Sequence, residues 1–184
     1  MISPMSAAGI FRDRGVADTG MREIAEAADL SPANLYHYFS GKDEILFYCQ
    51  DRALDRMLVA VRTSRTRGRS AADRLMSVLA AHVCTLLDEV EGATAHLEVG
   101  SLSPARRAQI VRKRDQYELA IRRLIDAGIA SREFVRLDSA VATRAMLGAV
   151  NWTVTWFRPD GAVRAADIGE IIAAYLVRGL AARC

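Results

Sequence analysis

Between residues 31 and 42 the chain gathers side chains that suit the base edges and backbone of a nucleic acid. Asn34 carries the paired donor and acceptor that match the edge of an adenine. Tyr36 has a ring for a thymine methyl and a hydroxyl for a phosphate, and His37 and Lys42 are phosphate donors. Ser31 is counted with them, and Ala33 is small enough for close approach. Lys42 also falls at the expected start of a helix, whose unpaired N–H groups attract anions. Thr19 and Arg22, one helix earlier, extend the same chemistry.

No other cluster points to a reaction. His82, His96 and Glu98 contain no histidine pair at i, i+4, so no metal site is expected. No Ser-His-Asp arrangement, glycine-rich phosphate loop or paired-carboxylate motif stands out, so no catalytic residue, cofactor or enzymatic activity is expected. Cys49, Cys84 and Cys184 are odd in number and far apart, which fits ordinary thiols in a reducing cytosol and a cytoplasmic protein. No apolar run approaches the ~18 residues of a membrane span, and the N-terminus lacks the pattern of a secretory signal.

The elements that must position these residues are helices. Half of the 184 residues are hydrophobic (51%), enough to bury a core. Sustained period-2 alternation and hairpin dipeptides are missing, while helical periodicity recurs between short polar or Gly/Pro breaks. The chain is therefore read as all-α, with about nine helices. The first is expected over Ser6–Arg14, stopping at Gly15, and the second over Met21–Ala28. Ser31 and Pro32 read as an N-cap followed by proline at the first helical position, opening a short helix to Phe39. Ser40 is expected to cap a long helix from Lys42 to Thr63. Further helices are expected over Ala71–Glu89, briefly within Gly92–Ser103, from Pro104 to a stop at Gly128, from an Asp138 cap to Arg158, and over Ala165–Ala182.

Met21–Phe39 has the packing needs of a helix-turn-helix. Ile24 and Ala28 face inward, Ala25 is small where the helices cross, and Leu35 and Phe39 anchor the second helix, with Tyr38 also read as core. Such a pair presents its second helix to the major groove. Residues 1–45 are assigned as a three-helix, helix-turn-helix DNA-binding domain. Residues 46–184 are assigned as a helical ligand-binding and dimerisation domain.

The stretches Gly15–Ala25 and Leu30–Leu46, with their Leu-Tyr-His-Tyr-Phe core followed by Lys-Asp-Glu, resemble the DNA-binding domain of TetR-type bacterial regulators. The resemblance covers about the first quarter of the chain and implies a homodimeric repressor, released from a pseudo-palindromic operator in double-stranded DNA by a small effector. Two positions depart from the pattern. Gly20 stands where a hydroxyl residue is usual and supplies no side-chain oxygen to the cap. Asp29 stands where the turn often has glycine, and would adopt a left-handed conformation at some cost. The usual basic segment before the first helix is also short, which leaves open a longer native N-terminus. From Met1 to Ala60 there are six basic and nine acidic side chains, so the reading head is not basic overall.

In the second half, the stretches from Asp138 to Arg158 and from Ala165 to Ala182 are apolar nearly all round. Such helices need cover on more than one side, and a two-fold four-helix interface supplies it. Ala145, Gly148 and Ala149 allow close approach there, with Ile172 and Leu176 from the last helix. The resemblance puts an effector pocket among the middle helices. Its candidate lining is His82, Leu86, Tyr117 and Ile121, with Asn151, Trp152, Thr155 and Trp156, where a polar group sits beside aromatic rings. The run Leu147–Gly161 is similar to the corresponding helix in TetR-type regulators of fatty-acid and sterol-ring degradation, several of which respond to acyl-CoA thioesters. Arg106, Arg107, Arg112, Lys113 and Arg114 give a cationic helix for a CoA phosphate. A ligand-dependent activator, a co-repressor-type regulator and a helical lipid-binding protein that does not act on DNA remain as alternatives.

Overall fold

The computed structural model describes residues 18–67, 70–87 and 99–182, which are helical and contain no named strand. In chain order the helices are α1 (Met21–Ala27), α2 (Pro32–Tyr38), α3 (Lys42–Arg67), α4 (Ala71–Leu87), α5 (Pro104–Ala130), α6 (Ser139–Asn151), α7 (Thr153–Trp156) and α8 (Ala165–Arg178). A single 3₁₀ turn covers Val99–Ser101, within the stretch expected to hold a short helix. The expected helix at Ser6–Arg14 lies outside the described residues, as do His96, Glu98 and Cys184. The described chain forms two compact units, one of residues 18–54 and 99–113 and one of residues 55–67, 70–87 and 114–182. Helices α3 and α5 each contribute to both.

In the first unit, local chemistry sets each boundary. Gly20 is the N-cap of α1 and lacks a side chain to cap with. Glu23 reaches back instead, and its Oε2 accepts the Gly20 N–H at 2.7 Å. Asp29 has φ 53°, the left-handed conformation expected of it. There the Leu30 N–H donates to the Ala25 carbonyl at 2.8 Å and the Asp29 N–H to Glu26 at 3.0 Å, closing α1 with a Schellman pattern. Ser31 Oγ accepts the Asn34 N–H at 3.2 Å, with Pro32 opening α2 as expected. Ile24, Ala25 and Leu35 are fully buried where α1 and α2 pack. Ser40 behaves differently from expectation. It lies two residues before α3, and it donates both its N–H and its hydroxyl to Glu44 Oε2, at 2.8 and 2.7 Å, rather than accepting from the backbone.

The second unit is organised around α4, which packs along α8 and also touches α6 and α7. Gly169 permits the α4–α8 approach, since a Cβ there would stand 2.9 Å from the Ala80 carbonyl oxygen. The start of α4 is capped from afar. The two carboxylate oxygens of Glu133 accept the N–H groups of Ala71 and Ala72 at 3.1 and 3.0 Å.

Helix α5 does not stop at Gly128 but runs on to Ala130. Gly128 serves packing instead. A Cβ there would fall 2.1 Å from Cδ2 of Phe134, and the chain reverses later, at Arg132, with φ 64°. Asp138 caps α6 as expected, its Oδ1 accepting from Ala140 and Val141 at 2.8 and 3.1 Å. The long helix expected from there is broken at Trp152 into α6 and α7. Around the break the hydroxyls of Thr153 and Thr155 donate to the carbonyls of Val150 and Trp152, at 2.7 and 2.6 Å. Helix α8 ends at Arg178, short of the expected Ala182. Beyond it the Ala182 N–H donates to the Glu133 carbonyl at 3.0 Å, and the Leu180 carbonyl accepts from Val135 at 2.9 Å.

Candidate functional site

In the first unit the expected DNA-contact residues lie around α1, on α2 and at the start of α3. Arg22, Ser31, Ala33, Asn34, Tyr36 and His37 are all exposed, and Lys42 is half-buried at the first residue of α3. Helix α2 is only seven residues long and buries Leu35 alone, so nearly its whole circumference is available. Thr19 is the departure. It is 1% exposed, two residues before α1, so it does not share the exposure of the others. Tyr38 departs in the opposite direction. Expected in the core, it is 58% exposed, with its ring edge-on to His37 at 5.3 Å. Phe39 is half-buried against Tyr48, at 5.6 Å between ring centres.

The acidic balance of the first sixty residues has a structural account. Asp43 accepts the Ser103 N–H at 2.8 Å and pairs with Arg106, which also lies 3.6 Å from Glu44. Asp51 pairs with Lys113 at 2.5 Å. Together with Glu23, these carboxylates are committed to partners inside the unit. Burial works against ionisation of Asp43, but the hydrogen bonds from Ser103 and Arg106 prevail and hold it below the usual carboxylate range. The same pairing occupies Arg106 and Lys113, two of the cations read from the sequence as a phosphate site.

In the second unit, three of the expected pocket residues meet. His82 on α4 is fully buried. Its Nδ1 lies 3.0 Å from the Tyr117 hydroxyl on α5, and its Nε2 lies 3.1 Å from Asn151 Oδ1, at the last residue of α6. The amide oxygen can only accept, so Nε2 carries the proton and Nδ1 accepts from the tyrosine hydroxyl. Burial lowers the His82 pKa to about 4, against the opposing effect of the Asn151 hydrogen bond, so the imidazole is neutral at pH 7. Burial likewise pushes Tyr117 well above its ordinary value. Leu86 and Ile121 are buried in the same unit.

The other expected pocket residues lie elsewhere. Trp152 is 66% exposed, and Thr155 and Trp156 are also exposed. Adjacent positions on a helix point about 100° apart, so Trp152 leaves the face on which Asn151 meets His82. Trp156 lines an open apolar hollow of about 370 Å³ with Phe157, Val163, Ile168 and Ile172.

The surface that Trp152 joins is the one expected to pair. Val141, Ala145, Gly148, Ala149 and Trp152 form one exposed stripe along α6 and into the break after it. On α8, Ile171 and Tyr175 are exposed, the latter 72%, with Ile172 and Leu176 half-buried beside them. The opposite faces of the same helices are buried: Thr143, Met146 and Val150 on α6, and Ile168, Ala173 and Val177 on α8.

Two family models match this arrangement. Residues 6–49 match the model described as bacterial regulatory proteins, tetR family, and residues 68–180 match a tetracyclin repressor-like C-terminal domain. The chain belongs to the TetR family. Its members are DNA-binding regulators, not enzymes, built as a helix-turn-helix followed by a helical domain.

Among solved structures, the TetR family regulator PfmR from Thermus thermophilus superposes with a TM-score of 0.84. It is 30% identical, over 97% of this chain and 98% of that one. The HTH-type transcriptional repressor KstR2 of Mycobacterium tuberculosis is 24% identical over 95% of this chain and 88% of the relative. AibR, solved in complex with isovaleryl coenzyme A and operator DNA, aligns with a TM-score of 0.75 and 25% identity, over 96% and 95% of the two chains. Among the described residues no helix is long and apolar enough to cross a membrane.

Proposed function

We propose that this TetR-family chain is a transcriptional repressor. It binds a pseudo-palindromic operator as a homodimer and is released by a small, largely apolar effector, with acyl-CoA thioesters as the first class to test. The observation that carries the DNA reading is the exposed set on α2: Asn34 for a base edge, with Tyr36 and His37 beside it and Lys42 opening α3. Two such helices, one per subunit, would address half-sites about one helical turn apart. The exposed apolar stripe of α6 and α8 supports the pairing, because a patch of that character on a lone subunit would face water.

Release requires that the effector bind one conformation of the dimer better than the other, with a coupling of about 1–3 kcal/mol being typical. Helices α3 and α5 are the physical links, since each is continuous from the unit that reads DNA into the unit that holds His82. The effector class draws its support from the character of the Leu147–Gly161 run and from AibR, a similar protein seen with a coenzyme A ester and DNA together.

The DNA reading is tested on a duplex selected from a random library by the wild-type protein. Tyr36→Ala and Lys42→Ala are each expected to abolish gel retardation while sedimentation still reports a dimer. Unchanged affinity in both variants overturns the assigned surface. For the effector, a thermal-shift screen across acyl-CoA chain lengths is expected to show stabilisation. No shift with any of them, beside a shift with another ligand class, removes the acyl-CoA reading.

A further inference from the structure

The Tyr117–His82–Asn151 chain of hydrogen bonds has a direction, and its direction has a chemical consequence. The tyrosine hydroxyl donates to Nδ1, Nε2–H donates to Oδ1, and the series ends on the carboxamide nitrogen of Asn151. That nitrogen carries two N–H donors, and neither meets an acceptor among the described residues. Asn151 is only half-buried, unlike His82 and Tyr117, and it stands at the end of α6 immediately before the break at Trp152. The two buried members thus leave the third with its donors outermost.

An asparagine side chain ordinarily turns end for end at little cost. Here a flip would set the N–H groups of Asn151 against Nε2–H. It could be accommodated only if His82 moved its proton to Nδ1; the Tyr117 hydroxyl would then accept, and its own buried O–H would be left without an acceptor among the described residues. The orientation is therefore held from two residues away.

We infer that Asn151 is the polar contact for the effector, that it donates to an acceptor oxygen of the carbonyl type on an otherwise apolar molecule, and that His82 and Tyr117 are positioning residues that hold the carboxamide in this sense. The inference rests on the reading of the second unit as an effector-binding domain, and it names the group that the domain recognises. A site built to donate a hydrogen bond discriminates strongly against an analogue that lacks the acceptor, because its own donors are then left unsatisfied.

Two matched ligand pairs test it by calorimetry on the full chain. Decanoyl-CoA and its thioether analogue S-decyl-CoA differ in one carbonyl oxygen, and 2-undecanone and undecane differ likewise without a nucleotide. In at least one pair the carbonyl member is expected to bind at least about tenfold more tightly. Asn151→Leu, and separately Asn151→Asp, is expected to erase that preference while apolar binding persists. If the CoA pair fails and the ketone still exceeds the hydrocarbon, the acyl-CoA reading falls and the carbonyl contact stands. The absence of a carbonyl-dependent gain in both pairs overturns the inference.

The positioning role has its own readout, independent of any ligand. Imidazole ¹⁵N shifts, assigned with His82→Gln, are expected to report the Nε2-protonated neutral tautomer in the wild type and a tautomer mixture in Tyr117→Phe. A wild-type proton on Nδ1, or a Tyr117→Phe spectrum identical to the wild type, overturns it.

Discussion

Asp43 and Arg106 form an ion pair that joins the first turn of α3 to the first turn of α5, and the same carboxylate also accepts the Ser103 backbone N–H. One side chain thus fixes two helix starts within the unit that carries the exposed α2. The two substitutions at this position differ in what they remove. Asp43→Asn keeps an oxygen for Ser103 and loses the charge that holds Arg106, whereas Asp43→Ala loses both. Expected costs are about 1 kcal/mol for the first and about twice that for the second, read as melting shifts of about 2–4 °C per kcal/mol. Operator affinity should fall in the same order with its salt dependence unchanged, because no phosphate contact is removed. Equal melting temperatures for wild type and both Asp43 variants would remove the structural role of Asp43.

That pair marks where the sequence stops being informative. The cap at Ser31–Pro32, the left-handed turn at Asp29 and the cap at Asp138 are legible because each is decided within a few residues. Asp43 and Arg106 are 63 positions apart, and Glu133 caps Ala71 across 62, so no local pattern announces either. Gly128 misleads for the same reason. A glycine at the end of an apolar run resembles a helix stop, and only the ring of Phe134 reveals it as a packing site. The candidate site is legible as a set of residues and not as an arrangement. The resemblance names His82, Tyr117 and Asn151 among the candidate pocket lining, but nothing in the spacing shows that they bond to one another, or that Trp152, next to Asn151, faces out.

Gly128→Ala separates the two readings of that glycine. In an exposed helix interior the change would stabilise by about 1 kcal/mol through helix propensity. Against the Phe134 ring, 2.1 Å from the new Cβ, it should instead destabilise by about 1–3 kcal/mol. Chemical denaturation of Gly128→Ala, Phe134→Leu and the double variant provides the check. A smaller cost for Gly128→Ala in the Phe134→Leu background is expected, and a stabilised single variant would refute the packing role.

His82 predicts how stability depends on acid. Its folded pKa, about 4, lies below the ordinary 6.5, so the unfolded chain takes up the proton first. The contribution is fully present above pH 6.5 and is lost as pH falls from there through about 4. The displacement is worth up to about 3 kcal/mol over that range. His82→Gln, which remains neutral at every pH, should be less stable than wild type at about pH 7.5 and should show a shallower decline between about pH 6.5 and 4.5. Parallel melting-temperature curves for the two proteins across that window would show that the imidazole is not buried as described.

Gly148 offers a test of subunit pairing that spares the fold of the single chain. It is exposed on α6 within the apolar stripe, and a Cβ added there would meet nothing within 4 Å. Gly148→Arg should therefore leave each chain folded, and the loss of a mid-helix glycine is itself favourable by up to about 1 kcal/mol. In a pair of subunits packed through α6 and α8 the same side chain would place a charge among Val141, Ala145 and Trp152. The expected outcome is a monomer by sedimentation with an unaltered circular dichroism spectrum. Operator affinity should drop by at least about a hundredfold, because two half-sites are no longer engaged by one particle. A Gly148→Arg protein that still sediments as a dimer would move the interface away from this stripe, and the exposed Trp152 and Tyr175 would then need another partner.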